Sequence, residues 1–534
     1  MIFLWYIFII FYFLICSAFD TNELNSNFPI FKCSNFLESL CRLKTVWVAT
    51  NSYKSHIHRF FDSSPFSPSG RYLAVSRFDN GSELKSKISI IVIDLLKGQE
   101  IEISTTHAWG SQLGAHIQWG GSDNQLLFNA IRKSNSNNSS SKNDSYSDKN
   151  VIETPYGVNY NIFTKESKEL ECPIYHVSNS GRFAASPCMT KLHHMQLGYG
   201  ITVNGILAEE NLNVSSNQGL FITDLSTGKC KLLVSLERMA KIIGIPLETP
   251  VYGFHVKWSS DEKYLLFVVR HEWMVESSTT STFTKYSNWL GRKKNTSRVN
   301  HLVVVSADGL NVGLLHTWSS RVNTWNGESI GDGNHPNWVP NSCLVSMNTR
   351  MPLNTNSANS GSNGNLDGRR ARVSSGIWWD LTLFNACSFM ESNGTRNTKE
   401  KVYKYSSGHP LVGPNARNAL LDTSPKEIRW FAPSPVVDKG AAPLRLLDLD
   451  THTSKTILAI PVDKNLKNNE YWNSLVQQKQ SSFLHGSPKS RVLSSWRCDV
   501  HPAWNRDFTW VALNTRNKNG NRQVLIAYIG NYLT

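Results

Sequence analysis

Seven times along the chain a short apolar stretch ends on Trp, Phe or Val, gives way to a polar turn and resumes as a second apolar run. The copies are Phe66-Ser-Pro-Ser-Gly-Arg-Tyr-Leu-Ala-Val75, Trp119 to Phe128, Val177 to Ala185, Trp258 to Phe267, Trp338 to Ser346, Val412 to Leu421 and Trp504 to Ala512. A β-rich hairpin with an Asp-containing turn follows several of them: Ile88 to Ile103, Gly219 to Leu236, His301 to His316 and Leu444 to Ile460. Tyr160 to Tyr175 and Trp379 to Phe389 match less well, and Gln523 to Ile529 supplies only one strand. Two hairpins per repeat make a four-stranded antiparallel blade, and blades stacked radially bury faces that one blade could not bury alone. The pattern predicts an all-β, seven-bladed β-propeller. Regularly spaced strands also suit a two-sheet sandwich with a second domain; seven turns in phase favour the closed ring.

At roughly seventy residues, each repeat exceeds the minimal blade of about forty, and insertions account for the excess. Asn/Ser/Gly-rich or mixed tracts near 134–150, 354–368 and 463–490 are too polar to pack and read as disordered loops; 277–293 is a further insertion. The propeller is placed at 61–534, behind an N-terminal extension at 19–60.

The first 18 residues read as a signal peptide: an apolar run from Ile2 to Ile15, then Cys16-Ser17-Ala18 as a cleavage site. A retained signal anchor is the alternative, although a spanning helix wants about twenty apolar residues. Cleavage leaves eight cysteines, an even number that permits a full disulfide set in a secreted protein. The local pairings to test first are Cys33 with Cys41 and Cys172 with Cys188. Sequons at Asn80, Asn137, Asn138, Asn143, Asn213, Asn295 and Asn393 suit the secretory route. The net charge of +14 is spread over a chain with only 18% charged residues and no basic run. It favours acidic partners such as uronic-acid glycans, and export argues against nucleic acid. The expected partners are an acidic glycan or an extracellular protein, met by a monomer.

Five repeats place a histidine three residues before the Trp or Val: His116, His255, His335, His409 and His501. In a propeller the strand entering this turn is the innermost, so these imidazoles are expected beside the central channel. Neutral imidazole ligates Zn or Mn, and histidines from separate blades could build an open-faced divalent-metal site. The structural alternative is that histidine simply begins an inherited strand. Proline follows His335, His409 and His501 and restricts the backbone beside each ring. Asp499 shares a strand face with His501 by alternation and is a carboxylate ligand candidate. His176 is offset from the register and reads as structural. Gln112 and His107 lie near the second blade's entry, and Arg270-His271 stands at a strand end where chemistry is often carried.

Several of these motifs resemble one family. Asp499-Val-His-Pro-Ala-Trp504 and the strands after it look like the last blade of secreted and periplasmic propellers related to oligogalacturonate lyase and the Tol-system propeller. Gly333-Asn-His-Pro-Asn-Trp338 and Gly408-His-Pro-Leu-Val412 are similar to the preceding blades, and Phe254-His-Val-Lys-Trp258 with Arg270-His271 resembles the blade carrying the lyase's base. The resemblance implies β-elimination of uronide chains around a histidine-bound divalent metal, commonly manganese. Carried over, His255 becomes the base, Arg270 its catalytic helper, and His335 and His501 metal ligands. The family's further His and Gln ligands have no clean match, and His409 and Asp499 stand available instead. Two functions follow: a metal-dependent polysaccharide lyase, or a non-catalytic extracellular binding propeller. No Gly-x-Ser-x-Gly elbow or Ser-His-Asp order supports a serine hydrolase.

Overall fold

A computed structural model describes residues 24, 27–32, 41–43, 45–51, 53–78, 86–135, 151–203, 212–274, 296–319, 324–326, 328–350, 380–392, 399–403, 408–422, 441–462 and 498–532. The signal-peptide segment, most of the 134–150 insertion and all of the 277–293, 354–368 and 463–490 insertions lie outside these residues. Seven four-stranded antiparallel sheets form the blades, as the repeat predicts. In chain order they span 55–106, 118–170, 176–235, 251–319, 332–403, 410–461 and 503–528, the last completed by Val46–Val48.

The seventh blade has only three strands of its own because the N-terminal strand is its fourth. Val46 pairs with Ala527, Trp47 with Ile526 and Val48 with Leu525, which closes the ring. Trp47 packs its ring 5.5 Å from that of Trp510. With Ser55–Ile57 as the inner strand of the first blade, the propeller takes in strands that the 61 boundary assigned to an extension.

The recurring turn has a local cause. The residue after the inner Trp or its substitute carries a short polar side chain that accepts the backbone N–H five residues on: Ser67 from Tyr72, Ser178 from Phe183, Ser259 from Tyr264 and Asn505 from Trp510, at 2.9 to 3.2 Å. Such side-chain-to-backbone bonds are why Ser and Asn dominate turns. Three residues beyond them the backbone turns left-handed, at Gly70 (φ 80°), Gly181 (φ 70°), Glu262 (φ 60°) and Phe508 (φ 62°).

Inner and middle strands are buried on both faces because each lies between two neighbouring blades. Ile88–Asp94 and Val251–Trp258 are buried at every position, whereas the outer strand Gln99–Thr106 is largely exposed. Two of the inner tryptophans anchor a neighbouring blade: Trp119 Nε1 donates to the Pro65 carbonyl at 2.9 Å and Trp338 Nε1 to that of Lys257 at 3.1 Å. An aromatic body with one donor suits such a site.

A second contact links blades. Ten residues after the inner aromatic or its substitute, Ser76, Asn129, Asn348, Asp422 and Asn514 reach across to the next blade's inner strand. Asn129 uses both ends of its amide, donating to Ile174 O at 2.8 Å and accepting from Ile174 N at 2.7 Å.

The disulfides differ from expectation. Cys172 pairs with Cys230, not Cys188, and Cys343 pairs with Cys387. Glu171 is hydrogen-bonded to Gly228 and Cys230 at the rim between the second and third blades, which brings Cys172 to Cys230. Cys188 precedes the helix Met189–Met195, and it and Cys498 are free thiols, so the cysteines do not form a full set. Cys41 is also disulfide-bonded; Cys33 lies outside the described residues. No helix among the described residues is long and apolar enough to cross a membrane.

Replacing Trp47 by Ala removes a side chain only 1% exposed from the closing strand. It should cost about 3–5 kcal/mol, read as a lower urea midpoint. An unchanged midpoint would show that the ring holds without this strand.

Candidate functional site

The histidine register has a backbone basis. His116, His255, His335 and His501 are left-handed, with φ between 48° and 57°, and the pairing register slips beside two of them, between Phe254 and Lys257 and between Asn334 and Asn337. His255 and His335 are therefore bulge residues, and bulges re-aim side chains next to functional sites. Histidine enters this region more readily than most residues. In the sixth blade the left-handed position moves one residue earlier, to Gly408 (φ 102°).

The channel is not an open funnel around five imidazoles. Between Ile57 and Ser63 the first blade inserts His58-Arg-Phe-Phe-Asp62; the first four residues are buried, and Asp62 is half-buried with its side chain fully covered. The Phe60 ring lies 4.4 Å from that of His501, 5.3 Å from His255 and 5.4 Å from His409; Phe61 lies 5.1 Å from His409 and 6.0 Å from His335. The histidines of the last four blades thus converge on an aromatic plug. His116 packs on Tyr175 instead, at 5.4 Å.

Charges hold the plug. Asp62 bonds Arg59 at 3.0 Å and Lys257 at 3.2 Å with no exposure of its side chain. These cations hold its carboxyl down at about 2 against the opposing effect of burial, and burial pushes Lys257 down to about 8. His176 serves the same segment: its Nε2 meets the Asp62 carbonyl at 3.1 Å and its Nδ1 meets Trp258 N at 3.3 Å. Burial lowers His176 to about 4 and His58 to about 3. His58, set in the plug beside Val500 and His501, escaped the sequence register because the insertion displaces it from the Phe66 turn.

Of the four expected metal ligands, three come together. One ligand atom each from His409, His501 and Asp499 lie within 4.8 Å of one another. His335 stands outside this group; its ring packs 4.0 Å from that of His409, and its Nδ1 is 3.0 Å from the Gly408 carbonyl. Asp499 is half-buried, so the group sits at the edge of the buried zone. Two imidazoles and a carboxylate are a donor set for Zn or Mn. Bonds of about 2.0–2.2 Å would require the three to draw in by small side-chain rotations.

Asp422 organises this group and was not singled out from the sequence. Both its oxygens lie 2.9 Å from His409 Nδ1, and they accept His409 N at 2.6 Å and His501 N at 3.0 Å. The carboxylate fixes the Nδ1–H tautomer and leaves Nε2 as the ligating atom, the usual arrangement behind a metal-bound histidine. A signal was present: this position is Asn129, Asn348 and Asn514 in three other blades, and a lone carboxylate in a row of amides marks a departure.

The expected base, His255, is 3% exposed, and burial, reinforced by Lys257 and Arg270, holds it well below its usual pKa. Its Nδ1 is 3.4 Å from Tyr175 Oη. Arg270 makes no hydrogen bond to it; its guanidinium lies 4.1 Å from the centroid of the Phe254 ring, which is 3.6 Å from that of His255.

Solved structures are similar to this chain. An oligogalacturonate lyase from Vibrio parahaemolyticus aligns over 95% of this chain and 98% of its own, with a TM-score of 0.50 at 11% identity. An oligogalacturonate lyase in complex with manganese aligns over 95% and 97%, with a TM-score of 0.49 at 10% identity. TolB from Acinetobacter baumannii aligns over 72% of this chain and 63% of its own, at 0.31 and 10%. No family model and no curated protein matches the chain.

The buried neutral histidines make the fold acid-labile. The unfolded chain takes up protons at His58 and His176 below about 6.5, while the folded ones resist until about 3 and about 4, so stability falls with pH across that interval. Asp62 adds to the loss only below its usual 3.8. The urea midpoint should therefore drop between about pH 7 and about pH 4.5; a flat profile would mean these groups are not buried neutral.

Proposed function

We propose that the protein is a secreted, metal-dependent lyase that cleaves an acidic, uronide-type polysaccharide. The observation that carries the reading is the convergence of His409, His501 and Asp499 within 4.8 Å under the control of Asp422. The shared fold with oligogalacturonate lyases and the charge of +14 support it. Disulfides at Cys172–Cys230 and Cys343–Cys387 accord with export.

His409, His501 and Asp499 would hold the ion, with His335 beside them. A bound divalent ion supplies a Lewis acid that neutralises the uronate carboxylate and the enediolate charge. His255, kept neutral by burial, is an unprotonated acceptor for the C5 proton at neutral pH, and Tyr175 steadies its ring from the Nδ1 side. As that proton leaves, the C5–H electrons form the C4–C5 double bond, the bond from C4 to the glycosidic oxygen breaks, and the departing oxygen takes a proton.

The second reading is a non-catalytic binding propeller whose ion would be a structural staple. The specific observation in its favour is the plug of Phe60 and Phe61, each 1% exposed, packed against the histidines.

The deciding measurement is metal content of the purified full chain together with release of unsaturated uronide from polygalacturonate. About one ion per chain, lost in a His409→Ala, His501→Ala double variant, and ultraviolet absorbance from unsaturated product are expected. Metal without product on any uronide would favour the binding propeller, and neither would overturn both. Asp422→Asn should weaken metal binding about 10–100-fold, measured by competition with a chelating dye.

A further inference from the structure

Residues 59–63 of the plug are joined to the rest of the molecule unevenly. They belong to no strand, so no ladder bond holds their backbone. On the N-terminal side Asn514 clasps His58, accepting its N at 3.1 Å and donating to its O at 3.5 Å. On the C-terminal side the Pro65 carbonyl accepts Ala74 N at 2.8 Å and Trp119 Nε1 at 2.9 Å. Between these anchors most polar contacts stay inside the segment. Arg59 Nη1 donates to Asp62 Oδ1 at 3.0 Å and to Ser63 Oγ at 2.8 Å, and Ser63 N approaches Phe60 O at 3.5 Å. Among the described residues, hydrogen bonds and ion pairs leave the segment only at Asp62, from its carboxylate to Lys257 Nζ at 3.2 Å and from its carbonyl to His176 Nε2 at 3.1 Å.

Both receivers of Asp62 have a second partner. Lys257 Nζ also donates to the Pro336 carbonyl at 2.6 Å, and His176 Nδ1 accepts from Trp258 N at 3.3 Å, so losing Asp62 leaves neither side chain unbonded. The shut position also carries a cost. Arg59 is 4% exposed, and its Nε and Nη2 are buried without a hydrogen-bond partner; unmade buried donors are expensive, and these two would regain water on an outward swing. What keeps the segment in place is chiefly the packing of Phe60 and Phe61 on the axial imidazoles, a non-directional contact that a ligand in the axis would replace. Few backbone bonds, internal polar contacts and one outward link mark a segment that opens locally, below the cost of global unfolding.

We propose that residues 59–63 are a gate over the axial histidines, hinged at His58 and Pro65 and latched at Asp62, which swings out while the seven blades stay folded. Phe60 packs on His255, His409 and His501, and Phe61 on His335 and His409, so the shut gate fills the space beside all four rings. Arg59 and Asp62 bond each other and move together, which lets the gate leave without separating that ion pair. That the gate regulates access to the metal group rests on the lyase reading; the swing itself does not use the metal.

The test is carbethoxylation of the metal-free full chain by diethyl pyrocarbonate at neutral pH, followed at each histidine by peptide mass spectrometry. His255 and His501, 3% and 2% exposed, lie against the gate. His271 and His301, both 0% exposed, pair with each other in the fourth blade through Nε2 atoms 3.1 Å apart and serve as the buried reference. A swinging gate makes His255 and His501 react at least about tenfold faster than the reference pair. Asp62→Asn, which removes the latch charge at constant size, should speed the axial pair about tenfold further and leave the reference pair unchanged. Neither metal nor substrate enters the measurement, so its outcome is independent of whether the protein is a lyase. Equal rates at all four histidines of the unaltered protein would overturn the gate, whether or not the Asn variant folds. Unchanged axial rates in a folded Asp62→Asn variant would overturn the latch.

Discussion

At five of the seven junctions a single polar side chain, reaching from a blade's second strand to the residues flanking the next blade's first, governs much of this molecule. Apolar packing between blades is extensive but non-directional, and by itself it would let neighbouring sheets slide. The amide of Asn129, holding both the N–H and the carbonyl of Ile174, sets the register of one sheet on the next. Asn514 spans the junction between the seventh and first blades in the same way, at His58. Because these clasped residues flank the inner strands, the side chains on the axis inherit their positions from the contact.

The candidate metal group grows out of that scaffold by one change of element. Where Asn becomes Asp422, a carboxylate that accepts two backbone N–H groups also takes the His409 imidazole, so a junction contact is at once an orienting group. The rest of the axis is arranged to keep charge matched: Asp62 has two cations, His176 is bonded through both nitrogens, and burial holds His58, His116 and His255 below their usual pKa.

Sequence and structure agree where local chemistry repeats. The seven turns were legible because a Ser or Asn that accepts a backbone N–H recurs at four of them, and the histidine register because the left-handed inner position recurs. His501 and Asp499 do approach, at 3.8 Å, but both precede the strand Ala503–Trp504, so the alternation used to relate them is not what brings them together. The fourth strand of the last blade was not legible, since its partner Val46–Val48 lies almost the whole chain away in sequence. Nor was the plug: five inserted residues carry no periodicity, and their apolar pair looks like the end of a strand. Cys172 with Cys230 was missed because spacing along the chain says nothing of which blade rims meet. Asp422 was visible only by comparing the repeats with one another at a position that, blade by blade, reads as an ordinary strand end.

The closing strand and the plug lie within twenty residues of each other, and both are completed by partners from the opposite end of the chain. Val46–Val48 has no sheet to join, and Phe60 no His409 or His501 to pack against, until the sixth and seventh blades exist. During synthesis the early blades can stack on their neighbours as they emerge. The axis cannot form that way, because its floor is made first and its walls last. The histidine-lined centre is therefore assembled only once the whole chain is available, and an interrupted chain would carry folded blades but no centre.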